Sequence, residues 1–294
     1  MLRRIIQTGL QKTRYVLYLF WEKFSFRRVQ PAKDISIDVI IPVIETDLAV
    51  LPLCIEGLRK NINHTIKNIY LVSPGSTAIK DFALAYGVTF LEETILFDYT
   101  PASINYIITA GRHDGLNRSG WIYQQLVKLS GRAGTCRYYL ATDADHILLQ
   151  PHSFITNDNR SVFYQSTEYN IPYYKAIKKL LGCYPITLFS YVSHKMIFDK
   201  EQLKELQLRI ETNAGSKQSW DRVIISNLNS NEVSGFSEFE LYGNFVPAEK
   251  KIVMPWKEKM LAIDQPVSYD ELQRLYPNKL SVTIPYYRRN KIVK

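Results

Sequence analysis

Two carboxylates separated by one residue follow a hydrophobic segment near the middle of the chain. Residues 137–142 read Arg-Tyr-Tyr-Leu-Ala-Thr, a composition typical of a strand, and they run directly into Asp143 and Asp145. Carboxylate oxygens are hard ligands that suit Mg²⁺ or Mn²⁺, and such an ion usually shares its coordination sphere with substrate phosphates. The spacing therefore predicts a divalent-cation site for a phosphate-bearing substrate. A pair of turn or helix-capping aspartates is the alternative interpretation.

The segments around this pair alternate between strand-like and helix-like patterns. The predicted strands cover residues 38–43, 68–73, 88–91, 137–142, 161–166 and 189–192, and the predicted helices cover residues 48–61, 77–85, 117–130, 173–182, 200–212 and 219–229. This alternation predicts an α/β fold with a mostly parallel, doubly wound sheet. Ligands bind such sheets at the carboxyl ends of the strands, where the acidic pair is expected. Without an internal repeat or a linker, residues 34–294 are predicted to form one domain.

The first 33 residues differ from the rest of the chain in charge and in pattern. The chain carries a formal charge of +9, of which residues 1–33 contribute +7. Read as a helix, this segment has a basic side and an apolar stripe, which contains Leu2, Ile5, Ile6, Leu10, Val16, Leu17, Phe20 and Phe24. The longest apolar run has seven residues, 15–21, whereas a membrane-spanning helix needs roughly 20. Residues 1–30 are therefore predicted to lie on an anionic membrane surface, and packing on the domain is the alternative.

Composition excludes several other classes of protein. With 294 residues, 46% of them hydrophobic, the chain is neither disordered nor a small disulfide scaffold. Its three cysteines form no CxxC pair, which fits a reducing, cytoplasmic environment. The nearly neutral body argues against nucleic acid as a partner. Walker A, GxSxG and HExxH motifs are absent, and no glycine-rich loop follows the first predicted strand, as a nucleotidyltransferase would need.

Four ordered blocks resemble bacterial GT-A-fold glycosyltransferases of surface-polysaccharide synthesis, such as capsule or lipopolysaccharide synthesis. The blocks are Asp38-Val-Ile-Ile-Pro-Val, Gly120-Trp121-Ile-Tyr-Gln124-Gln125-Leu-Val-Lys128-Leu, Leu140-Ala-Thr-Asp143-Ala-Asp145 and Phe236-Ser-Glu238-Phe-Glu240-Leu-Tyr242-Gly243-Asn. The resemblance covers roughly residues 36–256. It implies a GT-A (Rossmann-like) domain, a nucleotide-diphospho-sugar donor, and Mn²⁺ or Mg²⁺ held by Asp143 and Asp145. It also implies transfer of the sugar to an acceptor hydroxyl.

The second block is the predicted donor-binding helix. Helical spacing places Trp121, Gln124, Gln125 and Lys128 on one side, since positions i, i+3, i+4 and i+7 are neighbours. The resemblance implies that this side borders the nucleotide, where Lys128 meets a phosphate. Four further residues, together with Asp143, complete the predicted donor site: Pro42, Val43, Asp47 and Arg118. Some have plainer alternatives, with Trp121 in the core, Asp47 as a helix cap and Arg118 as surface charge.

Inverting transfer requires a carboxylate that takes the acceptor proton. Glu238 is the first candidate because Ser237 can cap a helix that begins there. Glu240 is the second candidate and Asp221 the third, and favourable charge at a helix N-terminus is the alternative for all three.

His194 is the histidine best placed to complete the metal sphere or to hold the acceptor. A buried structural histidine is the alternative. The GT-A pattern often places a metal-binding histidine nearer the C-terminus, and none follows His194 here. Aromatic faces suit sugar rings. The predicted acceptor contacts are therefore Tyr169, Tyr173, Tyr174, Tyr242 and the tail Tyr286-Tyr287-Arg288-Arg289.

These interpretations predict a metal-dependent glycosyltransferase that is peripheral on the cytoplasmic face of the bacterial inner membrane. Its partners would be a nucleotide sugar, a glycan or lipid-linked acceptor, and the anionic membrane surface. The competing interpretation is a non-catalytic membrane-surface scaffold protein with an inert α/β body. It would tolerate loss of Asp143 and Asp145, whereas a transferase would not.

Overall fold

The computed structural model describes residues 2–25, 29–263 and 265–289, and within these residues it has ten strands and ten α-helices. The strands are β1 (Ser36–Pro42), β2 (Thr65–Ser73), β3 (Thr89–Glu92), β4 (Tyr138–Thr142), β5 (His146–Leu148), β6 (Ser161–Gln165), β7 (Lys195–Asp199), β8 (Lys251–Pro255), β9 (Glu258–Met260) and β10 (Ser281–Thr283). The helices are α1 (Leu2–Phe24), α2 (Leu51–Asn61), α3 (Thr77–Ala85), α4 (Pro101–Ile104), α5 (Ser119–Leu129), α6 (Ile171–Leu181), α7 (Lys200–Ala214), α8 (Trp220–Ser226), α9 (Glu238–Phe245) and α10 (Tyr269–Leu275).

The central sheet has five strands in the order β3-β2-β1-β4-β7. The first four strands are mutually parallel, and β7 pairs with β4 in the antiparallel direction. All five residues of β4 are buried, because this strand lies between β1 and β7 inside the main hydrophobic core. The predicted α/β fold with a mostly parallel sheet is therefore confirmed, and β4 carries Asp143 and Asp145 to its carboxyl end.

Two smaller sheets bring later parts of the chain to the same region. Strand β10 pairs with β5 in the antiparallel direction and with β9 in the parallel direction, and β6 pairs with β8. Helix α2 packs closely on β5, since a Cβ atom at Gly57 would lie 2.7 Å from the carbonyl oxygen of Leu148. The strand that follows the acidic pair is thus held by a helix on one side and by the C-terminal strand β10 on the other.

The predicted strand at residues 189–192 is wrong. Within that segment Ser190 forms only an isolated bridge with Ser166, and the strand β7 begins at Lys195. Strand β7 begins with Lys195 and ends with Asp199, and these polar residues leave too short a hydrophobic run to indicate a strand. Lys195 is buried because its Nζ donates to Nε2 of His146, at 3.1 Å, and to Oγ of Ser281, at 3.2 Å.

Helix α1 packs on the domain through one face. The hydroxyl of Tyr18 donates to the carbonyl of Gln165, at 3.0 Å, and accepts the backbone N–H of Trp256, at 2.8 Å. The ring of Trp21 stacks on Phe189 with centroids 5.3 Å apart. Among the residues that the structure describes, no helix is long and apolar enough to cross a membrane.

Candidate active site

A cavity of about 400 Å³ opens at the carboxyl ends of β1 and β4. Eleven of the predicted site residues line it: Pro42, Asp47, Arg118, Trp121, Gln124, Gln125, Lys128, Asp143, Asp145, His194 and Glu238. They lie at the end of β1 and in the segment after it, just before α5 and on its cavity-facing side, in the turn after β4, at the residue before β7 and at the first residue of α9. The topology therefore brings together side chains that are far apart in sequence.

A buried lysine joins two of the carboxylates. The Nζ atom of Lys128 lies 2.5 Å from Oδ1 of Asp143 and 2.8 Å from Oε1 of Glu238. Burial alone would lower the pKa of Lys128, but the two carboxylates outweigh it and hold that pKa above its usual value. Burial would likewise raise the pKa of Asp143, but Lys128 and His194 hold it well below its ordinary value. This part of the site is charged at neutral pH.

Local capping positions Glu238 at the cavity. The Ser237 side chain accepts the backbone N–H of Glu240, as an N-cap residue does, so that α9 begins with Glu238 in its first turn. The backbone N–H of Glu238 also donates to Oε1 of Gln125, at 3.1 Å. Helices α5 and α9 are thus joined by a side-chain ion pair and by a backbone hydrogen bond.

His194 is bonded to Asp143 twice. Its Nδ1 lies 2.8 Å from Oδ2 of Asp143, and its carbonyl oxygen accepts the backbone N–H of the same residue at 2.9 Å. His194 has a φ of 56°, a left-handed conformation that is uncommon outside glycine and asparagine. Burial would lower its pKa, but the bond to Asp143 and the charge of Glu258 raise that pKa to about 9. The ring is therefore an imidazolium at neutral pH and acts as a hydrogen-bond donor.

Arg289, from the C-terminal segment, reaches the second aspartate of the pair. Its Nη2 lies 3.6 Å from Oδ2 of Asp145 and 3.6 Å from Oδ1 of Asp47. The guanidinium is held by the carbonyl oxygens of Ile284 and Thr46, at 2.9 and 2.8 Å. Burial and the neighbouring charge of Asp143 raise the pKa of Asp145 to about 7. The surroundings of Asp145 thus compensate the negative charge of its ionised form only in part.

The predicted three-residue metal centre is not assembled. Within residues 2–25, 29–263 and 265–289, no group of three or more His, Cys, Asp or Glu side chains could hold a metal ion. His194 uses Nδ1 on Asp143, while its buried Nε2 has no hydrogen-bond partner in the described residues. The two aspartates do fit an ion that arrives with its substrate, because Mg²⁺ is commonly held by one or two carboxylates plus substrate phosphates. In the described part of the chain, the carboxylate of Asp145 accepts no hydrogen bond within normal distance.

Three predicted residues do not face the cavity. Val43 is buried, and its backbone N–H donates to Val72. Glu240 is buried and accepts bonds from the Tyr174 hydroxyl, at 3.0 Å, and from the backbone N–H of Tyr191, at 3.2 Å. Its contacts tie α9 to α6, which is a structural role.

Asp221 also lies outside the cavity. It is buried at the start of α8 and accepts a hydrogen bond from the hydroxyl of Tyr99 at 2.8 Å. Of the tyrosines predicted to contact the acceptor, Tyr173, Tyr286 and Tyr287 line the cavity, whereas Tyr242 is in the core.

Sequence reasoning missed Glu168, an exposed carboxylate at the rim of the cavity. It follows β6 closely, just as Asp143 follows β4, and this position after a strand was the available signal. It also missed the role of Thr283, at the end of β10, which lines the cavity and donates to Glu258 below it. Nothing local in the sequence connects β10 with the acidic pair.

The chain belongs to a protein family of unknown function (DUF6492), whose family model matches residues 37–276. No curated protein matches the sequence. Among solved structures, mouse xyloside xylosyltransferase 1 in its apo form aligns over 86% of this chain and 99% of its own, with a TM-score of 0.46 and 10% identity. An alignment at this level does not assign a reaction to the chain.

Proposed function

We propose that the protein is a glycosyltransferase that moves a sugar from a nucleoside diphosphate donor to an acceptor hydroxyl. The observation that carries the proposal is the arrangement of Lys128 between Asp143 and Glu238 in a cavity at the carboxyl end of a mostly parallel sheet. A carboxylate pair after a strand suits the diphosphate side of a donor, and a further carboxylate next to that pair, Glu238, suits an acceptor hydroxyl.

The donor would occupy the side of the cavity formed by β1 and α5. Pro42 and Asp47 border one end of it, and Arg118 stacks on Trp121 with its guanidinium carbon 3.8 Å from the ring centroid. Arg289 and Lys128 supply positive charge toward a diphosphate. A divalent cation, when bound, would be held by Asp143 and Asp145 and would neutralise charge on the departing diphosphate.

Glu238 would act as the base of an inverting reaction. As the acceptor oxygen forms its bond to the anomeric carbon, the bond from that carbon to the diphosphate breaks, and the hydroxyl proton passes to the carboxylate. Glu238 is held for this step by Lys128 and by Gln125. Glu168, exposed at the rim, is a further carboxylate at the cavity and, unlike Glu238, forms no ion pair with a described residue.

The proposal extends to a cytoplasmic enzyme of bacterial surface-polysaccharide synthesis. It is supported by the four sequence blocks that resemble such transferases, and by cysteines that are all free in the described structure. The acceptor would be a growing glycan.

The test is thermal unfolding with a panel of nucleotide sugars, with and without Mn²⁺, on the wild type and on Asp143→Ala. A ligand at about 100 times its dissociation constant should add roughly 2.7 kcal/mol to the free energy of unfolding. We expect one donor to raise the melting temperature with metal present, and Asp143→Ala to abolish the response. Asp98→Asn, at an exposed surface position, is the matched control. If no donor stabilises the wild type at saturating metal, the transferase assignment fails and a non-catalytic role is favoured.

A further inference from the structure

We propose that α1 and the loop of residues 182–189 together form a surface that lies on an anionic lipid bilayer, and that the acceptor is therefore lipid-linked. The bilayer contact does not depend on the proposed function, whereas the lipid-linked acceptor rests on the proposed glycosyltransferase function. We call this region the α1–loop surface. It consists of six exposed apolar side chains of the helix and three of the loop: Tyr15, Val16, Leu17, Leu19, Phe20 and Phe24, with Tyr184, Ile186 and Leu188.

The inner face of α1 is already occupied by the domain. Tyr18 is buried, Trp21 stacks on Phe189, and Glu22 pairs with Lys279 at 3.3 Å. Yet the outer face of the same helix leaves Phe20 and Phe24 60% and 61% exposed. Single exposed apolar residues are ordinary, but a helix docked on one side and apolar on the other indicates a second contact.

The loop adds an apolar tip beside the helix. Phe189 contacts both Tyr18 and Trp21, so the residues that directly precede it lie next to α1. Ile186 is fully exposed, with a relative accessibility of 104%, and Leu188 is 49% exposed. A solvent-exposed isoleucine at the tip of a loop gains free energy when it enters the apolar boundary of a lipid surface.

Exposed lysines accompany these apolar groups. Lys12 and Lys23 are exposed on α1, and three exposed lysines lie on α6, the helix that directly precedes the loop, namely Lys175, Lys178 and Lys179. The ammonium group of Lys178 lies 4.8 Å from the ring centroid of Tyr184, which connects α6 with the loop. Aromatic and aliphatic side chains within a basic border are the composition of interfacial segments that bind anionic lipid. This charge complementarity favours a bilayer over a second copy of the same positively charged surface.

A contact of Arg14 links the α1–loop surface to the side of the cavity where the acceptor is proposed to bind. The guanidinium carbon of Arg14, on α1, lies 3.6 Å from the ring centroid of Tyr169. Tyr169 directly follows Glu168, which lines the cavity rim. A bilayer under α1 would therefore lie close to the rim where an acceptor hydroxyl must enter. An acceptor carried by a lipid would meet the cavity without leaving the membrane surface.

The first experiment measures binding of the full chain to vesicles by co-sedimentation. The vesicles are made of phosphatidylcholine alone or of phosphatidylcholine mixed with phosphatidylglycerol. We expect binding to the mixed vesicles only, and roughly tenfold weaker binding for Phe20→Ser and for Ile186→Ser. Leu84→Ser, at an 84% exposed position on α3, is the matched control and should bind like the wild type. Changing Lys175, Lys178 and Lys179 to Glu should abolish binding, whereas Lys80→Glu on α3 should not.

Several outcomes would overturn the bilayer contact. Absence of binding by the wild type to mixed vesicles would do so, as would equal losses for Leu84→Ser and Ile186→Ser. If the wild type is a dimer that Phe20→Ser and Ile186→Ser convert to monomer, a second copy covers the surface and the bilayer assignment is wrong. Donor-induced stabilisation, measured on the same variants, reports separately on the transferase site.

The nature of the acceptor is tested with alkyl glycosides in mixed vesicles and methyl glycosides of the same sugars in solution. We expect Ile186→Ser to lower transfer to the vesicle-bound acceptors about tenfold and to leave transfer to the soluble ones unchanged. Equal effects on both would show that the surface does not present the acceptor. If the wild type binds no donor, the proposed glycosyltransferase function is wrong instead.

Discussion

The ammonium group of Lys128 lies 2.8 Å from a carboxylate oxygen of Glu238, although the two residues are 110 positions apart and belong to different helices. The same ammonium group is 2.5 Å from Asp143. One cation therefore fixes the distance between the proposed donor-side carboxylate and the proposed base. The pairing makes the site sensitive to any change that removes the lysine charge.

We predict that Lys128→Met destabilises the protein by about 2 to 4 kcal/mol, because it removes the ion-pair partner of the buried Glu238 and leaves Asp143 with His194 alone. The measurement is urea unfolding at pH 7, with Lys33→Met, at an exposed position, as the control expected to change little. A second change, Glu238→Gln in the Lys128→Met background, should recover part of the lost stability. A Lys128→Met variant as stable as the wild type would show that the ion pairs contribute nothing.

We predict that Glu238→Gln lowers kcat by a factor of about 10² to 10⁴ and leaves donor-induced stabilisation intact, since general-base catalysis contributes that much. Glu168→Gln is the matched variant, at an exposed carboxylate on the same cavity, and should retain most of the activity. The measurement is the initial rate at saturating donor. The reverse pattern would assign the base to Glu168.

The raised pKa of Asp145 predicts that removing its negative charge stabilises the folded protein. Its folded pKa of about 7 lies above the ordinary value for aspartate. The stabilisation that protonated Asp145 gives the folded state is therefore complete at acid pH and is lost as the pH rises to about 7. Asp145→Asn should stabilise the metal-free protein by about 1 to 2 kcal/mol at pH 8, after allowance for solvent screening, and by much less at pH 4. Thermal unfolding at the two pH values in a metal chelator tests this, and an Asn variant that is no more stable at pH 8 than the wild type would contradict it.

For His194 we predict the opposite effect, namely that removing the titratable side chain destabilises the folded protein. Its folded pKa of about 9 lies above the ordinary histidine value, so the stability it contributes is present below about pH 6.5 and is lost as the pH rises through 9. His194→Gln should therefore destabilise the protein more at pH 6 than at pH 10. Urea unfolding at both values checks this, and His113→Gln, a change at a partly exposed histidine outside the cavity, should show no such trend.

Much of the candidate site is predictable from local sequence. The strand β4 is predictable because hydrophobic residues run directly into Asp143, and the face of α5 is predictable because helical spacing places Gln124 and Lys128 together. The cap Ser237 correctly predicts that α9 begins at Glu238. In each case the signal lies within a few residues of the side chain that it positions.

The remaining parts depend on contacts that no local pattern encodes. Strand β7 was misplaced because Lys195 is polar, and its burial is possible only beside His146 and Ser281. The approach of Arg289 to Asp145 depends on the pairing of β10 with β5, in which His146 and Thr283 are 137 positions apart. Hydrophobic periodicity cannot show which distant strands pair.

That long-range pairing has a consequence for synthesis of the chain. Asp143 and Asp145 leave the ribosome early, but the strand that holds β5 in place and the guanidinium that reaches Asp145 come from residues 281–289. A nascent chain halted before residue 281 would contain both aspartates and all five strands of the central sheet, but its cavity would still be open on one side. Contacts of such high sequence separation also form late and slowly. The candidate site would thus be complete only in the last stage of folding.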